Sequence, residues 1–161
     1  MPAPLTVSTP SERELAITRQ FDAPRDLVFL CYSRPELIRR WLGPPDWTMP
    51  TCEMDFRVGG KWRFVLRSPD GFEMGSGGVY REIVSPERIV NTETYDMDWT
   101  GGEAIATVSL VENADGTTTA TTTVLYSSRE ARDGAAASPM AEGMEVSFKR
   151  LDELLETQPA A

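Results

Sequence analysis

Few residue types in this chain can carry chemistry. Its 161 residues include no histidine and only two cysteines, Cys31 and Cys52. Without histidine there is no Ser-His-Asp or Cys-His nucleophilic machinery, and no histidine-ligated zinc, copper or haem. The cysteines form no C-x-x-C pair, so they indicate neither a thiolate metal site nor a disulfide scaffold. Their plain reading is two reduced thiols in or near the core. Among the acids, Glu93 is the most informative, because Ile89, Asn91 and Tyr95 share its strand face. A carboxyl buried on such a face has a raised pKa and can act as a base; an exposed one does not. No nucleophile–base pair is visible, and no Gly-rich loop joins a strand to a helix as phosphate cradling requires. No catalytic residue, metal or cofactor is therefore assigned.

A second set of side chains suits binding rather than reaction. Trp41, Trp47, Met54, Phe56, Trp62, Phe64, Glu93, Tyr95, Trp99, Met140, Met144 and Phe148 are the candidates to line a pocket for a flat or aliphatic ligand. For the apolar ones the competing reading is core packing. Each indole brings an N–H that needs a partner, and Trp47 and Trp99 fall in loops, where binding roles concentrate. Thr119, Thr121 and Thr123 alternate along one strand and complete the candidate set. Facing inward, they would line a wall with hydroxyls, each costing about 1–3 kcal/mol if unpartnered, a cost that a wet or occupied cavity relieves. The alternative is that Thr is simply a good strand former.

The elements that must position these residues follow from periodicity. Glu12 to Phe21 alternates and reads as a strand. Asp22-Ala23-Pro24 opens a helix carrying Leu27, Val28, Cys31 and Tyr32, with proline suited to the first helical position. Pro35 to Leu42 is a second short helix, stopped by Gly43-Pro44-Pro45. Strands then span Thr51 to Val58, Lys61 to Arg67, Phe72 to Val84, Arg88 to Tyr95, Ala104 to Val111 and Thr117 to Tyr126. Gly75-Ser76-Gly77-Gly78 predicts a bulge or bend inside the third of these. Ser127-x-x-Glu130 is a capping box for a helical turn that Gly134 breaks. From Ser138-Pro139 a last helix carries Met140, Met144, Ser147, Phe148, Leu151, Leu154 and Leu155 as an apolar stripe. The expectation is an α+β domain over residues 12–157, with a flexible leader over 1–11 and a flexible tail over 158–161. One long helix rests on a curved antiparallel sheet of six to seven strands and leaves a hollow between them.

Charge narrows the partners. Asp and Glu number 25 against 16 Lys and Arg, a net charge of −9, and this field repels phosphate backbones and anionic membranes. Nucleic-acid and membrane roles are not expected. The amino-terminal residues show neither the basic nor the apolar region of a signal peptide, so a cytoplasmic protein is the default. Glu53, Asp55 and Arg57, with Lys61, Arg63 and Arg67 across a hairpin, read as a solvated ion-pair face or else as a docking surface.

The motifs Phe21-Asp22-Ala23-Pro24 with Val28-Phe29, Pro35-Glu36-Leu37 through Trp41 to Gly43-Pro44, and Glu53-x-Asp55-x-Arg57-x-Gly59-Gly60 with Trp62 occur in a telling order. Pro69-Asp70-Gly71, Glu82-Ile83-x-x-Pro86-Glu87-Arg88-Ile89-Val90, Gly116-Thr117 and Gly143-Met144…Leu151 follow. Together they resemble the START-like SRPBCC superfamily, and within it the subfamily homologous to the carboxy-terminal domain of the activator of the heat-shock chaperone ATPase. The resemblance covers about residues 13–155 and implies the helix-grip fold. That superfamily hosts ligand binders, cyclases and co-chaperone domains. It usually has Gly-Trp where this chain has Gly143-Met144; flexible Met fills irregular space, which points to an altered cavity mouth. The leading expectation is binding of a small hydrophobic molecule between helix and sheet. A co-chaperone-like ATPase activator module is the alternative, although no additional amino-terminal domain is visible. A cofactor-independent cyclase using Glu93 or Tyr95 is the third. A chaperone, or a second copy of the chain pairing through an edge strand, is a further candidate partner.

Overall fold

The computed structural model describes residues 4–97 and 102–157. Among these, the strands are β1 (Thr6–Ser8), β2 (Glu14–Phe21), β3 (Thr48–Met54), β4 (Lys61–Arg67), β5 (Glu73–Val84), β6 (Arg88–Tyr95), β7 (Ala104–Glu112) and β8 (Thr118–Leu125). The helices are α1 (Arg25–Ser33), α2 (Pro35–Ile38), α3 (Arg129–Ala137) and α4 (Met140–Thr157). All eight strands join one antiparallel sheet in the order β1-β2-β8-β7-β6-β5-β4-β3. This is the helix-grip α+β architecture, with one strand more than expected. The extra strand, β1, lies in the segment read as a flexible leader. It pairs Thr6 with Thr18 and Ser8 with Ala16, and Leu5 donates its N–H to Glu145 Oε2 on α4 at 3.1 Å.

Several boundaries move for physical reasons. β3 starts and ends earlier than its alternation suggests, and it contains Pro50. As an edge strand it tolerates a residue with no N–H to donate. β5 runs unbroken through its glycines, and its register shift comes later, between Tyr80 and Glu82. The glycines serve close approach instead: a Cβ on Gly78 would lie 1.9 Å from the Thr92 carbonyl oxygen. α3 is capped by Ser128, whose Oγ accepts from the Ala131 N–H, rather than by Ser127. It passes through Gly134, because one glycine costs a helix only about 1 kcal/mol and three alanines follow it.

The core lies where α1 and α4 meet the concave side of the sheet. Phe21 and Phe148 pack edge to face at 5.4 Å between centroids, and Trp41 stacks on Phe148 at 6.3 Å. Two polar clamps fix α4. Arg19, 3% exposed on β2, reaches Asp152 through Nη1 at 2.9 Å and Nη2 at 2.7 Å, and Glu145 at 3.4 Å. Ser147 Oγ accepts from the Gly43 N–H and donates to the Gly43 carbonyl, both at 3.1 Å. Gly43 has φ +120°, a conformation that glycine alone adopts without cost, and it presents both backbone groups to Ser147. No described helix is long and apolar enough to cross a membrane.

Candidate functional site

Between α4 and the sheet lies a hollow of about 590 Å³, partly open to the surface. Its floor comes from the inward faces of seven strands, β3 contributing Met54. Alternation places Leu15 and Ile17 of β2, Thr122 and Val124 of β8, Ala106 and Val108 of β7, and Ile89, Asn91 and Glu93 of β6 on that face. Trp62, Phe64 and Leu66 of β4, with Met74, Ser76 and Tyr80 of β5, complete it. Trp41 and Leu42 close one side, and Met140, Met144 and Ser147 form the roof. Ala106 contributes only a methyl to the floor, which leaves space that a larger side chain would fill.

Of the candidate residues, Trp41, Met54, Trp62, Phe64, Glu93, Tyr95, Met140 and Met144 come together around this hollow. The indoles are already satisfied: Trp41 Nε1 donates to the Cys31 carbonyl at 3.0 Å and Trp62 Nε1 to the Thr92 carbonyl at 3.1 Å. They offer a ligand their faces rather than their N–H groups. Phe148 does not line the hollow; it is buried beneath it, against Phe21 and Trp41. Phe56 lies beyond the end of β3 and packs edge-on to Phe29 and Tyr80, at 6.0 and 5.1 Å. Trp47 packs against Phe72 at 6.2 Å, away from the site. Trp99 falls outside the described residues.

The threonine wall faces the other way. Register pairs Ile17 with Thr122 and Leu15 with Val124, so the even-numbered residues of β8 point inward. Thr119, Thr121 and Thr123 occupy the outer face, where Thr121 Oγ1 bonds Thr18 Oγ1 at 3.3 Å and Asn113 donates to Thr119 at 3.1 Å. Thr122 is the one β8 hydroxyl lining the hollow. Sequence reasoning also missed three phenols, Tyr32, Tyr80 and Tyr126. Tyr126 ends the Ala120-Thr122-Val124 face, which was the signal available for it.

Polar groups gather around Glu93. Burial raises the Glu93 pKa above its ordinary value, and the hydrogen bond donated by the Tyr95 hydroxyl partly opposes this. Burial and the neighbouring carboxylate raise Tyr95 and push Tyr126 up to about 12. The Tyr126 hydroxyl donates to the Met140 thioether at 3.9 Å, a weak bond. The Tyr32 hydroxyl is buried near Thr122 without a partner in hydrogen-bond geometry. Elsewhere burial pushes the Cys31 thiol up to about 11, which leaves it unreactive. No group of three described His, Cys, Asp or Glu side chains is placed to hold a metal ion.

The outer charged face is paired within the chain, though not as expected. Arg63 forks onto Asp96 at 2.6 Å, Arg67 bonds Glu73 at 2.6 Å, and Arg57 turns back to Asp55 at 3.0 Å. These pairs are exposed, a setting in which such contacts contribute little.

The profile of the family described as "Activator of Hsp90 ATPase homolog 1-like protein" matches residues 22–156. The chain belongs to this family. A protein from Rhodobacter sphaeroides shares 31% identity with it over 97% of this chain and 100% of that one, with a TM-score of 0.91. A protein from Arthrobacter aurescens is 27% identical over 96% and 93% of the two chains, with a TM-score of 0.81. An AHSA1 protein from Silicibacter pomeroyi, at 18% identity over 89% and 97%, has a TM-score of 0.70 and shares the fold. No curated protein matches the sequence.

Proposed function

We propose that this family member binds a small hydrophobic molecule in the hollow between α4 and the sheet. The observation that carries the proposal is the hollow itself. Its volume of about 590 Å³ lies within the roughly 300–1,000 Å³ of small-molecule sites. Its walls are mostly aliphatic and aromatic, with a few polar groups at defined positions. Burying about 250 Å² of apolar ligand surface at ~25 cal/mol/Å² contributes roughly 6 kcal/mol before association costs. A few polar contacts then bring affinity into the micromolar range. The test is a fluorescence titration with N-phenylnaphthylamine, comparing the wild-type chain with Met144→Trp, which places an indole in the roof. Saturable one-to-one binding that the variant weakens at least about tenfold supports the reading. Equal binding by both chains places the probe elsewhere and counts against it.

The family's description favours a second reading, an activator-type contact with a chaperone. A purified chaperone whose ATP turnover is unchanged by saturating amounts of this protein would exclude it.

A further inference from the structure

Arg19, which is buried, and Glu93, which is half-buried, are two inward-facing charged groups that the chain does not treat alike. Arg19 is matched on two sides by Asp152 and Glu145. Glu93 is also an ionisable group on an inward sheet face, yet no Lys or Arg is among the described residues lining the hollow it faces. Its partner within the chain is the Tyr95 hydroxyl. Aromatic rings line the same hollow: Tyr95 and Tyr126 beside Glu93, Tyr80 on the neighbouring strand β5 and Trp62 one strand further on, on β4. Their faces are electron-rich, and cations settle on such faces.

We propose that the ligand is an amphiphile with an apolar body and one protonated nitrogen, its nitrogen seated at Glu93 among the phenol rings and its body along the Ala106, Val108 and Met144 side of the hollow. This deepens the cavity-binding reading and rests on it. A protonated nitrogen supplies the counter-charge that the chain withholds from Glu93, and a charge-assisted hydrogen bond is about twice as strong as a neutral one. An anionic amphiphile meets the opposite conditions, a carboxyl on the wall and no cation. The chain's net charge of −9 draws cations and repels anions before contact.

Three probes with the same body separate the possibilities: biphenylmethylamine, biphenylmethanol and biphenylcarboxylate, each titrated calorimetrically into the full chain at neutral pH. The amine is expected to bind about tenfold tighter than the alcohol, with the carboxylate weakest. Glu93→Gln should bring the amine's affinity down to the alcohol's, with the fold checked by circular dichroism. The ranking on the wild-type chain does not depend on that variant folding. Equal affinity for amine and alcohol, or a carboxylate that binds tightest, overturns the cation assignment while leaving the cavity reading intact. Saturable binding by none of the three overturns both.

Discussion

Replacing Asp152 by Ala removes both hydrogen bonds that hold the Arg19 guanidinium at 2.9 and 2.7 Å. The arginine side chain is 2% exposed and that of Asp152 22%, so water can replace little of what is lost. Arg19 Nε already lacks a partner, and the guanidinium carbon lies 5.0 Å from the centre of the Phe21 ring. Removing one member of a buried pair costs about 3–5 kcal/mol. Here Glu145 at 3.4 Å and the Gln20 carbonyl at 2.9 Å keep part of the charge satisfied, which puts the loss near the lower end, about 3 kcal/mol. With a urea m-value of about 2 kcal/mol/M for a domain of this size, the unfolding midpoint falls by roughly 1.5 M at unchanged slope. Urea denaturation followed by tryptophan fluorescence measures it. A loss under about 0.5 kcal/mol, the scale of an exposed pair, refutes the argument that a dehydrated clamp seats α4 on the sheet. The double replacement Arg19→Met with Asp152→Leu removes the stranded charge, so it should recover most of the loss.

Glu93→Gln should flatten the dependence of stability on pH. The folded Glu93 pKa is raised, so the native state keeps its proton longer, and wild-type stability falls as pH rises from the ordinary carboxylate value through the folded one. Unfolding midpoints measured across that range should converge for the two chains in acid and favour the variant at neutral pH; a lead for the wild type at neutral pH contradicts the assignment. Ser147→Ala takes the hydroxyl from the Gly43 N–H and leaves the Gly43 carbonyl only Arg150 Nη1 at 3.3 Å. It should cost about 1–3 kcal/mol and speed amide exchange at Gly43, and unchanged exchange would show the clamp to be unimportant. Gly78→Ala drives a methyl to 1.9 Å from the Thr92 carbonyl. The expected loss is about 3 kcal/mol, the upper end of the usual overpacking range, read by thermal unfolding, and a neutral result would show that β5 can move away from β6.

The elements were legible where one face is buried and the other wet. β4 and β6 appear with the ends that alternation gives them, and the α4 stripe is buried from Ser147 to Leu155. Legibility failed where both faces of a strand carry similar side chains. In β8, threonines stand on each face, so composition could not say which one points inward; the register against Leu15 and Ile17 decides it. β1 was invisible because three exposed residues leave no periodic trace. At the site, large residues such as Trp41, Trp62 and Met144 could be chosen by type, whereas Tyr126 and Thr122 depend on strand parity. The clamps at Arg19 and Ser147 were harder still. Each is a polar residue in an apolar row whose partner lies more than a hundred positions away.

The most direct test of the central claim is a heteronuclear NMR titration of the protein with biphenylmethanol, read at methyl groups and indole N–H signals. Ligand occupancy of the hollow predicts saturable shifts at Val108, Val124, Met144 and the Trp62 indole, with the outer-face methyls of Thr119, Thr121 and Thr123 unmoved. Shifts confined to the outer face, or none that saturate, would contradict it.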